Sequence, residues 1–328
     1  MLKKFLFLIL ILIILMSGKG LQAQDPHFSQ FYANPLYLNP AFAGSNICPR
    51  LSINYRNQWP AISGAYVNYS AGYDQYFEDI AGGIGLLATT DRSGEGVLTS
   101  SNFSFMYAVR LKVSRTFNIN AGLQASYFQK SVDWNKLTFG DQIDPKWGFV
   151  NQTSEPGGAY ESSGADFAAG ILGYTEELYI GFAAHHLTQP DEGFKNYSEL
   201  PIKFTAHAGF NINLAGPGHR RHRPGDPILS PNIMFQQQGQ FHQINYGMYL
   251  NMKPMIFGLW YRQFVEGSDA LIVLAGFEYK SFKFGYSFDL TVSELDMASG
   301  GAHEVSVGFK FNCPPNKRRL RAIECPSF

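Results

Sequence analysis

Residues that could perform chemistry are few and scattered in this sequence. Adjacent histidines, His185 and His186, end a predicted strand. Neighbouring strand side chains point to opposite faces, so we do not expect this pair to hold one metal ion. Asp141 and Asp144 lie in the stretch 131–163 without a general acid that the sequence places beside them. No Gly-x-Ser-x-Gly, His-Glu-x-x-His or phosphate-loop motif is present. We therefore expect no enzymatic activity, no metal and no cofactor.

The N-terminus predicts export. Lys3 and Lys4 precede an apolar run over 5–16, and small residues follow up to Ala23. A positive region, an apolar core and a small-residue cleavage site are typical of a secretory signal peptide. We expect cleavage after Ala23, with an uncleaved anchor as the alternative. The apolar run is shorter than the roughly 20 residues that a membrane-spanning helix needs.

The composition favours a membrane barrel among exported proteins. The chain has 33 Gly, 28 Phe and 18 Tyr, but only 16% of its residues are charged and the formal net charge is zero. An apolar outer face with aromatic girdles accounts for such a composition. A nucleic-acid partner is not expected, because such proteins carry a basic footprint.

Several segments alternate strictly between apolar and polar or small residues, as a barrel strand must. In 282–291, phenylalanine, tyrosine and leucine face one way, while Lys283, Gly285, Ser287, Asp289 and Thr291 face the other. The polar face is mostly Ser, Thr, Asn, Gln and Gly, with an occasional Lys or Asp. The alternative is a secreted β-sandwich, which would carry more charge on its polar face.

Fourteen such segments predict an all-β fold, a transmembrane antiparallel barrel of about 14 strands. Long connections should be extracellular and short ones periplasmic. The longest connection, 131–163, is interpreted as a surface-binding or lid loop, with a constriction loop inside the lumen as the alternative. The predicted strands are 50–58, 64–75, 80–90, 96–110, 116–130, 164–174, 177–187, 201–213, 227–237, 240–251, 254–262, 269–280, 282–292 and 303–312.

The two ends of the mature chain differ from the barrel pattern. Residues 24–49 contain prolines that exclude a regular helix, together with many aromatic residues. We expect this segment to fold back as a plug or to line the barrel mouth, with a disordered leader as the alternative. The predicted organisation is a signal peptide over 1–23, the plug-like segment over 24–49, the barrel over 50–312 and a periplasmic tail over 313–328.

The periplasmic side should carry basic segments. Cys313 and Cys325 flank a basic loop, and an oxidising compartment favours a disulfide between them. Cys48 has no evident mate. The run 219–223, in a long predicted periplasmic turn, is either a solvated turn or a docking surface for a periplasmic partner.

Four motifs resemble one family of outer-membrane proteins. They are DPHFSQFYANPLYLNPAFAGS at 25–45, YRNQWP at 55–60, YDQYF at 73–77 and FGDQID at 139–144. Together with the tail, they are similar to the PorP/SprF family of the type IX secretion system. The resemblance implies a non-enzymatic role in the export or surface retention of large secreted proteins such as gliding adhesins. It also implies partners among secreted cargo, other secretion components in the periplasm and outer membrane, and outer-membrane lipid.

A different function remains open. The step Asn39-Pro40-Ala41 resembles the hatch motif of FadL-like fatty-acid transport barrels, which suggests a transporter or porin for small apolar solutes. Under the first hypothesis, the partner-binding candidates lie in the N-terminal segment, the basic turn and the tail. They are Phe28, Phe31, Tyr32, Asn34, Pro35, Asn39, Pro40, Phe42, Arg220, Arg221, Arg223, Lys317, Arg318, Arg319 and Arg321.

Overall fold

A computed structural model describes residues 25–46, 48–114, 116–155, 157–158, 160–215, 226–264, 267–292 and 300–311. Within them, fourteen antiparallel strands form the wall of a barrel, and each overlaps one of the fourteen predicted strands. The wall strands are β1 (Arg50–Gln58), β2 (Tyr66–Phe77), β3 (Gly82–Ser93), β4 (Leu98–Lys112), β5 (Asn118–Val132), β8 (Tyr160–Tyr174), β9 (Leu178–His185), β10 (Lys203–Phe210), β12 (Ile228–Gln238), β13 (Phe241–Met252), β14 (Met255–Phe264), β15 (Gly267–Tyr279), β16 (Phe282–Thr291) and β17 (Ala302–Lys310).

Pairing of the first and last strands closes the barrel. β1 pairs with β17 over its whole length, with Arg50 opposite Lys310 and Gln58 opposite Ala302. β10 pairs with both β9 and β12, and the short strand β11 (Ile212–Asn213) continues along β12. A closed barrel suits a bilayer because the backbone groups of each strand bond to its neighbours.

The predicted alternation of the wall is confirmed, and it places polar residues in the lumen. In β16, Ser287 and Asp289 are almost fully buried, whereas Tyr286 is 40% exposed on the outer face. β5 shows the same pattern, with Asn120 buried and Leu123 exposed. The lumen is more charged than the mostly neutral polar faces of the predicted strands indicate, because buried Arg, Asp, Glu and Lys side chains also face inward.

The two ends of the barrel have different connections. At one end, which we call the outer end, lie the long connections 133–159, 186–202 and 292–301. The other end, the inner end, has the tight turns 253–254 and 280–281. Each end has one exception, because the connection 214–227 is long at the inner end and 239–240 is tight at the outer end. Long connections on one side are typical of the extracellular face of an outer-membrane barrel.

The long outer connection between β5 and β8 stays away from the lumen. It forms a hairpin from β6 (Ile143–Asp144) and β7 (Gly148–Phe149), with two short 3-10 helices before it. Trp147 and Phe149 are 69% and 64% exposed, so the described part of this loop does not form a constriction inside the barrel. No helix in the described residues is long and apolar enough to cross a bilayer.

The disulfide at Cys48 bears on the predicted pairing of Cys313 with Cys325. Cys48, just before β1, is disulfide-bonded. The chain has three cysteines, and Cys313 and Cys325 lie outside the described residues. A disulfide at Cys48 and one between Cys313 and Cys325 therefore cannot both form within one molecule. The predicted signal peptide over 1–23 and the predicted periplasmic tail over 313–328 also lie outside the described residues.

Candidate functional site

Residues 25–46, which we call the luminal segment, run through the barrel from the outer end to the inner end. Asp25 begins at the outer end, where its backbone N–H donates to Gln238 Oε1 over 2.9 Å. At the inner end, Gly44 N–H donates to Asp74 over 3.0 Å, and Arg110 donates to the carbonyls of Gly44 and Ser45. The segment therefore spans the lumen before the chain enters β1.

Prolines start the short helices of this segment. The helix α1 (Pro35–Leu38) and a 3-10 helix (Pro40–Phe42) both begin with proline, whose missing N–H is not needed at that position. The Asn39 side chain accepts a hydrogen bond from Ala41 N and so caps the second of these helices. This arrangement explains why a proline-punctuated sequence can be compact without forming a long helix.

The predicted partner-binding residues of the segment are turned toward the barrel wall. In this structure their contacts are internal, and binding to another protein stays a prediction for them. The buried members are Phe28, Phe31, Tyr32, Asn34, Pro35, Asn39, Pro40 and Phe42. The remaining candidates, Arg220, Arg221, Arg223, Lys317, Arg318, Arg319 and Arg321, lie outside the described residues.

Aromatic rings hold one side of the segment. The ring of Phe31 packs edge-on against Trp260, with centroids 5.1 Å apart, and Tyr32 packs edge-on against Tyr179 at 5.7 Å. These residues belong to one buried apolar cluster that joins the segment to β8, β9 and β12–β15. Such edge-to-face pairs add to the stabilisation that comes from burying the rings.

A row of small residues holds the opposite side, and we call it the small-residue belt: Gly83, Ala108, Gly122, Gly170 and Ala183. These residues are in register across β3, β4, β5, β8 and β9. The backbone of the segment lies directly on the belt. A Cβ atom at Gly122 would lie 2.5 Å from Ala41 N, and one at Gly83 would collide with Ala43. Glycine is required here for close backbone approach.

A buried charge network joins the segment to β1, β14, β16 and β17. Asp289 accepts hydrogen bonds from Ser29 Oγ, Arg56 and Arg262 at 2.6, 2.9 and 3.1 Å. Glu304 accepts from the backbone N–H groups of Ser29 and Gln30 at 2.6 and 3.2 Å. Arg56 also donates to Ser29 Oγ over 2.6 Å. Charges this deeply buried are tolerated when they are paired and hydrogen-bonded.

A second charge cluster anchors the start of the segment at the outer end. His186 contacts Asp25 and Asp166, both at 2.8 Å, and Lys203 lies 3.3 Å from Asp25. His186 has φ 59°, so the backbone turns after β9 and the alternation of faces stops at this residue. For this reason His185 and His186 lie on the same side, with ring centroids 6.4 Å apart, instead of on opposite faces.

The carboxylates around His186 change its acid–base behaviour. Burial alone would lower the pKa of His186, but Asp25 and Asp166 outweigh burial and raise that pKa from 6.5 to about 10. Burial would raise the pKa of Asp25, but His186 and Lys203 hold it well below its ordinary value. The anchor is therefore an ion pair at neutral pH.

The raised pKa predicts how the anchor depends on pH. Because the folded-state pKa of His186 exceeds its unfolded value, its stabilising contribution is fully present below about pH 6.5 and is lost as the pH rises through about 10. NMR of histidine-labelled protein in nanodiscs should show His186 titrating near pH 10. Asp25→Asn should lower that pKa because one of the two carboxylates is removed. A titration of His186 near 6.5 in the unmodified protein would contradict the ion-pair anchor.

Sequence reasoning missed the charged network, although the alternating pattern contained a signal for it. Glu304 is in phase with Ser306 and Gly308 on the polar face of β17, and Asp289 is in phase with Ser287 on β16. Opposite charges on the polar faces of several strands indicate inward pairing. No group of three His, Cys, Asp or Glu side chains among the described residues could hold a metal ion.

Comparison with known proteins gives one family match and several similar barrels. A family model described as "Type IX secretion system membrane protein PorP/SprF" matches residues 20–309. The toluene transporter TbuX of Ralstonia pickettii has a TM-score of 0.52 and 11% identity, over 86% of this chain and 95% of that chain. A FadL homologue from Pseudomonas aeruginosa has a TM-score of 0.43 and 11% identity, over 90% of this chain and 100% of that chain. No curated protein matches the chain. The likeness to TbuX shows an outer-membrane barrel fold.

Proposed function

Because this outer-membrane barrel belongs to the PorP/SprF family of type IX secretion system membrane proteins, we propose that it supports the export or surface retention of large secreted proteins, such as gliding adhesins. In this role it catalyses no reaction. It binds secreted cargo at its outer end and other components of the secretion system at its periplasmic and membrane faces. The observation that carries the proposal is the occupied lumen, which favours a platform over a conduit.

The energy of burial argues that the luminal segment stays in place. Six large apolar side chains of the segment are nearly inaccessible to solvent, and burial of each contributes about 1.5–3 kcal/mol. Expelling the segment would then cost on the order of 10 kcal/mol, even before the buried ion pairs are broken. The side chains are Phe28, Phe31, Tyr32, Leu36, Leu38 and Phe42.

The size of the barrel also argues against passage of a secreted protein through its lumen. Barrels with about 16–18 strands leave a channel for small solutes, so a wall of fourteen strands is too narrow for a folded protein even without the segment. A secreted protein would therefore cross the membrane elsewhere and meet this barrel at its surface. Contact with the machinery would use the basic run 219–223 and the tail 313–328, which carry the predicted arginines and lysines.

Cells that lack this protein should test the proposal. We expect surface display of secreted proteins to fall at least tenfold in the deletion strain and to return when the full chain is supplied. A chain without residues 313–328 should restore the barrel in the outer membrane but not display, because its periplasmic contacts are missing. Normal display in the deletion strain would contradict the secretion role, and full display with the truncated chain would remove only the role of the tail.

A second candidate function is transport of a small solute. The Asn39-Pro40-Ala41 step and a cavity of about 500 Å³ at the outer end favour it. Ion conductance in planar bilayers and uptake of an apolar solute would separate the two functions. A conducting barrel, together with unchanged protein display in the deletion strain, would support the transporter over the platform.

A further inference from the structure

The outer end contains a cavity of about 500 Å³ that the luminal segment leaves unfilled. It lies beside the start of the segment and is lined by the outer-end parts of β1–β5, β8–β10 and β13. Its volume falls in the range of ordinary ligand sites, about 300–1,000 Å³. His27, Phe28 and Tyr37 contribute to its lining on the segment side. Asp91 on β3 lines the opposite side of this cavity.

Asp91 is the distinctive group of this cavity. Its neighbours in register are Asn68 on β2 and Ser100 on β4, and Asn68 Nδ2 donates a hydrogen bond to its carboxylate. Asp91 forms no ion pair with any lysine, arginine or histidine in the described part of the chain. The other acids of the cavity do have such partners: Glu192 lies 3.0 Å from Lys130, and Asp25 lies 3.3 Å from Lys203.

The rest of the lining suits a positively charged organic group. Trp59 and Tyr66 line the cavity, with ring centroids 5.7 Å apart, and aromatic faces attract cations. Thr89 and Asn102 add neutral oxygen atoms that can accept hydrogen bonds from an amine. The lining also contains three cationic side chains, and each is paired with an acid of the same cavity: Lys130 with Glu192, His186 with Asp166, and Lys203 with Asp25. Asp91 is therefore the acid left without such a pair in the described part of the chain, and together with two aromatic rings and several neutral acceptors it matches an ammonium or guanidinium group.

The charge of the outer end also favours a positively charged ligand. In the described parts of its connections, acidic side chains outnumber basic ones. The loop 133–159, for example, carries Asp133, Asp141, Asp144 and Glu155 against Lys136 and Lys146. Such a field raises the local concentration of cations at the mouth of the cavity.

We propose that the outer-end cavity binds a primary ammonium or guanidinium group, with Asp91 as its counter-ion. The group has two possible sources: a lysine or arginine side chain of a protein that docks at the outer end, or a free amine solute. A calcium ion is a poor fit, because it takes six to eight oxygen ligands and Asp91 is not part of a described carboxylate cluster.

Binding to the purified full chain in nanodiscs tests this site without relying on the secretion role. The probes are a tetralysine peptide with blocked ends and the small guanidine agmatine, measured by calorimetry at low salt. We expect Asp91→Asn to weaken binding of both probes at least tenfold. Asparagine removes the negative charge, but it has the same size as aspartate and can keep the contact with Asn68. A peptide that binds at least tenfold more tightly than agmatine identifies a protein side chain as the source; equal affinities identify a free amine.

Glu155→Gln is the matched control, because it removes one negative charge from an exposed position of the same end, away from the cavity. We expect it to change affinity less than twofold. Equal weakening by both substitutions would overturn the proposal and leave only general attraction to an acidic surface. Absence of binding by the unmodified chain to either probe at millimolar concentration would overturn it as well.

Discussion

Asp289→Asn is expected to lower the free energy of unfolding of the barrel by about 3–5 kcal/mol, the usual result of removing one partner from a buried ion pair. Asp289 is 1% exposed and accepts hydrogen bonds from Arg56 and Arg262, which are themselves buried. The amide that replaces it would leave two guanidinium groups with less negative charge around them. Urea titration of the protein folded in lipid vesicles would measure the change.

Asp133→Asn is the matched control for this prediction. It makes the same chemical change at an exposed residue whose only ion pair within the described part of the chain, with Lys136, spans 4.0 Å. Asparagine can still cap the short helix that Asp133 begins, so the expected change is below about 1 kcal/mol. Equal stability of Asp289→Asn and the unmodified chain would mean that the network does not hold the segment.

The wall could be predicted from the sequence because its rule is local. A period of two in side-chain polarity is visible within ten residues, and it located all fourteen strands to within a few residues. The alternation failed at His186, where a backbone φ of 59° turns the chain and brings two adjacent histidines to the same side. A single left-handed residue leaves no mark in a polarity pattern.

The position of the luminal segment inside the barrel could not be predicted, because its contacts join distant parts of the chain. Gln30 bonds to Glu304, and Asn39 bonds to the carbonyl groups of Ile171 and Phe182. Neither contact follows from a periodicity. The small-residue belt is visible in the sequence only as isolated glycines, and its purpose becomes clear once the strand register aligns Gly122 with Gly170.

Substituting valine on this belt should loosen the segment from the wall. At Gly122 an added Cβ would lie 2.5 Å from Ala41 N, and at Gly170 it would collide with the Asn39 side chain. Overpacking costs about 1–3 kcal/mol at one site, so we expect Gly122→Val with Gly170→Val to lower the free energy of unfolding by about 3 kcal/mol or more. The clash at Gly122 is with backbone, which has less freedom to move aside than a side chain.

Hydrogen exchange followed by mass spectrometry distinguishes this effect from general instability. Peptides that cover residues 36–45 should exchange faster in the double variant, while those from β14–β16 on the other side of the barrel keep their protection. Gly140→Val serves as the control, because no described atom beyond its two chain neighbours lies within 4 Å of a Cβ built there and the residue is in the outer loop. If the double variant exchanges like the unmodified chain over 36–45, the belt does not seat the segment. If the double variant exchanges faster over 36–45 and also conducts ions, the packing of the luminal segment on the belt keeps the lumen closed.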